Sequence, residues 1–208
     1  MMLTKRKLIA GFTVLAGWTG LRPVLATVQP TPRQTEGPFY PREQDMFADR
    51  DNDLVKIRDQ VVEAGGEILH IHGVLKDRKG HRLAAAKVEI WQCDVNGRYL
   101  HGADSGSSTA RDGGFQGFGA TRTDADGRFS FRTIKPVSYP GRTPHIHAKF
   151  FHPKSDVVLT TQYYVAGDPQ NNRDGLYRRL KTTERNRVTM QLEANAAGEW
   201  QTSVEAVL

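Results

Sequence analysis

Two histidines one residue apart, His145 and His147, sit in the stretch Pro144-His145-Ile146-His147-Ala148. In a β-strand, residues two apart point to the same face. The two imidazoles would then stand side by side, with Ile146 turned to the opposite face and into a core. That arrangement suits two neighbouring ligands on one metal ion. The same spacing also occurs on solvated strand faces, and His70 and His72 are read that way. Between Tyr139 and His152 there is no Asp or Glu, and the single cysteine, Cys93, is far off in sequence. The remaining donors nearby are phenols, and Tyr139 lies six residues before His145. To ligate as phenolate, a tyrosine must lose a proton whose free pKa is about 10. A trivalent ion drives that loss far better than Zn²⁺ does. A set of Tyr and His therefore points to ferric iron more than to zinc. The plain alternative for the tyrosine is a core or rim position in a β-protein.

The elements that must position these residues read as short strands. Ile68 to Leu75 is one, followed by a turn at Lys76–Gly80. From Ala85 to Trp91, Lys87 and Glu89 alternate with Val88 and Ile90, which is period two with one face buried. Asp124-Ala125-Asp126-Gly127 is a turn before Phe129-Ser130-Phe131. The histidine strand, Val157 to Val165 and Arg187 to Leu192 complete the set. Helical periodicity is scarce, so an all-β sandwich or barrel is expected. Between Trp91 and Phe129 runs a long Gly- and Ser-rich stretch, Asp94 to Arg122. Connections longer than about 12–15 residues in a compact domain are usually functional or disordered. This one carries Tyr99, His101, Phe115 and Phe118, and is read as an ordered loop over a site.

Composition narrows the class. Of 208 residues, 38% are hydrophobic and 25% charged, as in soluble globular chains. One cysteine excludes an internal disulfide framework and a CxxC zinc site, and Cys93 is expected to be a buried structural thiol. The formal charge of +6 is uneven. Residues 1–26 hold Lys5, Arg6, Lys7 and Arg22 and no acid, leaving 25 bases against 23 acids in the rest. A nucleic-acid binder should carry its excess on the folded part, so no nucleic-acid partner is expected. Residues 1–26 have a basic start, an apolar stretch from Leu8 to Leu21 and a Val-Leu-Ala end, the pattern of an export signal cleaved after Ala26. Thr4-Lys5-Arg6-Lys7-Leu8-Ile9 is a Lys-Arg variant of the twin-arginine pattern. The apolar stretch is short and glycine-containing for a membrane span. The expected organisation is a signal over 1–26, an arm contributing to the active site over 27–67, and a β-sandwich catalytic domain over 68–208. The protein is thus expected outside the cytoplasm, periplasmic or secreted, with no membrane contact beyond the signal.

Five blocks occur in order: Thr35-Glu36-Gly37-Pro38-Phe39-Tyr40; Val88 to Asp94 running on to Gly97-Arg98-Tyr99; Thr123-Asp124 to Gly127-Arg128-Phe129 and on to Pro136; Tyr139-Pro140-Gly141-Arg142-Thr143-Pro144-His145-Ile146-His147; and Thr161-Gln162-Tyr163-Tyr164 with Gly167-Asp168-Pro169. Together, over about residues 35–180, they resemble the intradiol ring-cleavage dioxygenases, in the layout of the protocatechuate-type catalytic chain. The resemblance implies a transthyretin-like β-sandwich. It also implies Fe(III) held by Tyr99, Tyr139, His145 and His147, with a water or hydroxide completing the sphere. A catechol would bind as a dianion in place of the hydroxide and Tyr139, which accept its protons. Both atoms of O2 would enter the ring between the hydroxyl carbons, giving a cis,cis-muconate-type diacid. Arg142 would stabilise negative charge on the ring carbon before oxygen attack, with Gln162 assisting. Gly37, Pro38 and Tyr40 would line the substrate pocket, and His101 would stand behind the ligands. Trp91 is read as core, and Arg173, Arg178 and Arg179 as solvated. The family is usually oligomeric, so a homo-oligomer is implied.

Two features depart from the family. The helical dimerisation segment of the catechol 1,2-type branch has no room before Thr35. An export signal is unlike the cytoplasmic protocatechuate enzymes, so a single-chain exported relative acting on another catechol is expected. Two other functions compete. A non-catalytic β-sandwich binding module shares the strand and turn grammar but needs no Tyr99, Tyr139, His145, His147 set. A cupin-type Fe²⁺ or Mn²⁺ enzyme would want a carboxylate soon after the histidines, and Asp156 is the first acid available.

Overall fold

A computed structural model describes residues 28–104 and 109–208. The expected signal, with its basic start and its cleavage point after Ala26, lies outside the described residues. Among the described residues, nine strands form two sheets. In one, β1 (Ile68–Lys76) lies between β4 (Arg128–Ile134) and β9 (Trp200–Val207), and β8 (Glu193–Ala194) pairs beyond β9. In the other, the order is β3 (Phe118–Arg122), β2 (Lys87–Trp91), β5 (His145–Phe151), β6 (Val158–Val165) and β7 (Thr189–Met190). Pairing is antiparallel except β1 with β9 and β6 with β7.

Alternation puts the core between the sheets. In β1, Leu69, Ile71, Gly73 and Leu75 are buried, while His70 is half-buried and His72 exposed, as their expected solvated face requires. His70 meets Glu199 at 2.7 Å. Across from it, β4 buries Phe129, Phe131 and Thr133. Gly73 pairs with Phe129, whose ring occupies the space a side chain would need: a Cβ there would stand 2.1 Å from the ring. From the second sheet come Val88, Ile90, Ile146, Ala148, Phe150, Leu159 and Tyr163. Leu54 and Val55, ahead of β1, join the same core.

The structure corrects the element boundaries in three places. Arg187 to Leu192 is not one strand: helix α2 (Thr182–Val188) takes its first residues, and β7 keeps only two. Glu184 accepts the Lys181 N–H at 2.7 Å, an N-terminal capping contact that starts the helix. The last five residues of the Asp94–Arg122 stretch are not loop but strand β3, with Phe118 paired to Trp91. The long C-terminal strand β9 was not expected, because Trp200-Gln201-Thr202-Ser203 offers little apolar alternation. It forms by parallel pairing along the whole of β1. Among the described residues no helix is long and apolar enough to cross a membrane.

Candidate metal centre

The second sheet has an inner and an outer face, and the chemistry sits on the outer one. The register sets Trp91 opposite His147, His147 opposite Gln162, and His145 opposite Tyr164. Ile146 faces inward into the core, as the two-residue period requires. An outer face should be wet, yet His145 and His147 are 1% and 3% exposed. Two segments cover it.

The first is the arm before β1. Gln34 donates through Nε2 to the Gln162 carbonyl at 2.9 Å and to Thr161 Oγ1 at 3.0 Å. Lys149 Nζ donates to Glu36 at 2.7 Å, and Tyr40 Oη to the buried Glu89 at 2.8 Å. Between these anchors Gly37 has φ +74°, a left-handed turn that brings the chain against the site. A Cβ at Gly37 would stand 3.6 Å from His147 Cε1.

The second is the loop after β2. Asp94, buried, ties it together by accepting from the N–H groups of Asn96, Arg98 and Asp112 at 2.6–2.9 Å. This holds Tyr99 over the histidines, with its own N–H on Asp104 at 2.6 Å. Cys93 is buried beside it and points its thiol toward the Val137 carbonyl at 3.7 Å. Tyr139-Pro140-Gly141-Arg142 is a tight turn, closed by the Arg142 N–H on the Tyr139 carbonyl at 2.9 Å. Pro second and a positive-φ Gly third are the residues a type II turn wants.

Three donor atoms converge. Tyr99 Oη is 3.3 Å from His145 Nε2 and 3.2 Å from His147 Nε2, and the two Nε2 atoms are 3.2 Å apart. Neighbouring ligands on one metal, bonded at about 2.0–2.2 Å, have separations of this order. Tyr139 closes the cluster, its ring 5.5 Å from that of Tyr99 and 5.6 Å from that of His145. His147 is stacked on Trp91 at 4.8 Å, so this buried tryptophan serves both core and site. Among the described residues no group of three or more His, Cys, Asp or Glu gathers as a metal site. A metal at this cluster would be held by imidazole and phenol.

The electrostatics suit a cation. Burial, and then the Arg142 charge, push His145 down to about 4. His147 lies well below its usual value through burial, then His145 and Arg142. Both rings are therefore neutral near pH 7. His145 Nδ1 donates to the Thr143 carbonyl at 2.6 Å, which leaves Nε2 with its lone pair toward Tyr99 and His147. Burial raises the Tyr99 phenol well above its usual value, and the Tyr139 phenol too, though Arg142 opposes the latter shift. The buried Tyr99 and half-buried Tyr139 phenols would give up their protons here only to a strongly charged ion, as the donor types imply. The residues present thus fit ferric iron.

Arg142 reaches in from the Tyr139 turn. Its Nη2 donates to Gln162 Oε1 at 2.6 Å and its Nη1 to Tyr139 Oη at 3.4 Å. Gln162, fully buried, donates through Nε2 to the Thr35 carbonyl at 2.9 Å. Tyr99, Tyr139, Arg142, His145, His147 and Gln162, from the loop after β2, the Tyr139 turn, β5 and β6, are thus brought together. Gly37 lies at the edge of the cluster. Tyr40 faces Trp91 edge-on, with its hydroxyl on Glu89. His101 is half-buried and accepts the Ala103 N–H at 3.0 Å. Arg173, Arg178 and Arg179 are exposed.

Two residues of the site were not singled out from the sequence. Phe39 stacks on Tyr99 at 4.9 Å and meets Tyr139 edge-on at 6.5 Å. It stood between residues chosen for their turn or hydroxyl chemistry. Asp174 is 1% exposed and accepts from Arg142 Nε at 2.8 Å. Its sequence signal, an Asp ahead of a short helix, indicates only a cap. Surface cavities of about 740 Å³ by His152 and about 490 Å³ by His72 do not touch the cluster. A smaller one of about 300 Å³ opens beside Tyr99 and His101.

Comparison with known proteins gives consistent relatives. The Dioxygenase_C family model, described as Dioxygenase, matches residues 35–205. The protocatechuate 3,4-dioxygenase beta chain of Burkholderia cepacia is 33% identical over 156 residues, covering 72% of this chain and 66% of the relative. Catechol 1,2-dioxygenase 1 of Acinetobacter lwoffii is 32% identical over 157 residues, covering 67% and 47%. The chain spans about half to two-thirds of the length of these curated relatives. Among solved structures, the dioxygenase domain of a dioxygenase–carbohydrate-binding fusion from Streptomyces sp. SirexAA-E matches at TM-score 0.63 and 30% identity, covering 86% of this chain and 98% of that one. An intradiol ring-cleavage dioxygenase from Tetranychus urticae matches at TM-score 0.67 and 20% identity, covering 86% and 94%, a likeness of fold.

Proposed function

This chain belongs to the intradiol ring-cleavage dioxygenase family, and from that premise we propose that it uses O2 to cleave a catechol between its two hydroxyl-bearing carbons. The product is a cis,cis-muconate-type diacid. The metal is Fe(III), held by Tyr99, Tyr139, His145 and His147. The observation that carries this is the 3.2–3.3 Å triangle of Tyr99 Oη, His145 Nε2 and His147 Nε2, with Tyr139 alongside.

Bound ferric iron supplies Lewis acidity toward the catechol oxygens and draws electron density from the ring. The chain's own residues divide the rest. Tyr99, held deep in the cluster, stays in place beside the two imidazoles. Tyr139 is only half-buried and its hydroxyl meets Arg142, so it is the phenolate able to swing away and take a substrate proton, as a general base does. Arg142 is permanently charged and directed at the same corner, where it stabilises negative charge on the ring carbon before oxygen attack. Gln162 fixes one edge of that guanidinium. Phe39 covers the Tyr99 ring, and the Gly37 turn lies against His147.

Purified protein should be coloured by tyrosinate-to-iron charge transfer, and the band should move to longer wavelength when a catechol is added without oxygen. An oxygen-uptake screen against catechol, protocatechuate and hydroxyquinol, with product spectra, settles reaction class and substrate together. A colourless protein with stoichiometric zinc and no oxygen uptake overturns the proposal.

A further inference from the structure

Four N–H groups converge on the Asp174 carboxylate. Oδ2 accepts from Arg142 Nε at 2.8 Å and from the Thr143 N–H at 3.0 Å. Oδ1 accepts from the N–H groups of Leu176 and Tyr177 at 2.8 and 2.9 Å, capping helix α1 (Gly175–Arg179). The carboxylate is 1% exposed and cannot turn without releasing one pair or the other. We propose that Asp174 is a positioning residue, which holds the Arg142 guanidinium against Tyr139 and Gln162 and fixes the segment that orients His145.

Three acceptors hold the guanidinium, and each comes from a different stretch of chain. Asp174 takes Nε, Gln162 takes Nη2 and Tyr139 takes Nη1. Of these only Asp174 is charged in the metal-free chain. It is also locked, because the α1 cap fixes its other oxygen. Gln162 and a departing Tyr139 alone would leave the planar fork free to tilt about its side-chain axis. The second path runs through the backbone. Asp174 fixes the Thr143 N–H, and the Thr143 carbonyl accepts His145 Nδ1–H at 2.6 Å. That bond is what presents His145 Nε2 as a bare lone pair, so one carboxylate sets both a cation and a ligand tautomer.

Asp174→Asn separates this role from simple capping. Asn caps a helix about as well as Asp, so a residue that only capped α1 would tolerate the change. An amide has one acceptor oxygen, however. If that oxygen keeps the cap, the NH2 faces the N–H groups of Arg142 and Thr143. In the full chain prepared metal-free and labelled with ¹⁵N, the Arg142 Nε–H and His145 Nδ1–H resonances should exchange slowly in the wild type. Both should shift and exchange fast in Asp174→Asn, while the amides of Leu176 and Tyr177 stay protected. In the iron-loaded protein, kcat on the best catechol should fall about tenfold or more with KM changed by less than about threefold. The same substitution in an Arg142→Ala background should cost clearly less than in the wild type, because only the path through Thr143 and His145 is left to lose.

The kinetic arm rests on the proposed dioxygenase activity, and the resonance arm does not. If the wild type cleaves no catechol, that activity falls and the resonances alone decide Asp174. Unchanged Arg142 Nε–H exchange in Asp174→Asn, or an equal kinetic loss in both backgrounds, overturns the proposal. Should Asp174→Asn fail to fold, fast exchange of Arg142 Nε–H in the wild type overturns it, and slow exchange lost in Asp174→Glu supports it.

Discussion

At the residue scale, His147 has Trp91 stacked on its ring and two donor atoms 3.2 Å from its Nε2. Replacing it with Ala removes a proposed ligand without touching the inward-facing core. Iron content, read by elemental analysis, should fall at least about tenfold. Tyr139→Phe keeps the ring against Tyr99 and His145 and deletes only the hydroxyl, so the visible band should shift or vanish and turnover should drop, read by absorption and oxygen uptake. Cys93 is pushed up to about 12 by burial and by the charge of Asp94. It should resist alkylation near neutral pH until the protein is denatured, as mass spectrometry will show. His145, His147 and Tyr139 were legible because their relation is local: two residues on a strand, six along a turn. The stacking of Phe39 on Tyr99 and the bond from Asp174 to Arg142 were not. They join residues 60 and 32 positions apart, and no local pattern records such a meeting.

At the scale of elements, the strands β1, β2, β5 and β6 show in the sequence because one face of each meets the core and the alternation survives. Gly73 marks where two such faces press closest. Gly73→Ala would drive a methyl into the Phe129 ring and should cost about 1–3 kcal/mol or more, measured by denaturant unfolding. The arm is held on the outer face by polar anchors as well as by the packing of Phe39 and Tyr40. Tyr40→Phe removes the hydrogen bond to Glu89 and should lower stability by about 1–3 kcal/mol, since Glu89 stays buried with one partner fewer. It should also open the arm to limited proteolysis. Strand β9 and helix α2 were missed or misplaced for opposite reasons. The first borrows its pairing from β1 with little apolar pattern of its own. The second starts from a capping contact inside a stretch whose composition reads as strand.

At the scale of the whole molecule, the charge of +6 loses four of its bases to residues 1–26, and the remainder is nearly balanced. In the proposed function one cation, Arg142, has chemical work. Export of this protein is proposed from that first segment. N-terminal sequencing of protein recovered outside the cytoplasm should begin at Thr27, and recovery of intact Met1 there counts against cleavage. A homo-oligomer is proposed from the family habit, with sedimentation as its check. By itself the sequence determined the all-β class, the outward direction of His145 and His147, and a donor set of phenol and imidazole, because these follow from two-residue periodicity and residue chemistry. Only the tertiary structure decided that this outward face is dry, that Tyr99 closes on two imidazoles within 3.3 Å, and that Asp174 holds Arg142 in place. Those outcomes depend on the arm, a loop and a helix cap folding over one sheet, and contacts between distant segments are set by packing, which no stretch of sequence encodes alone.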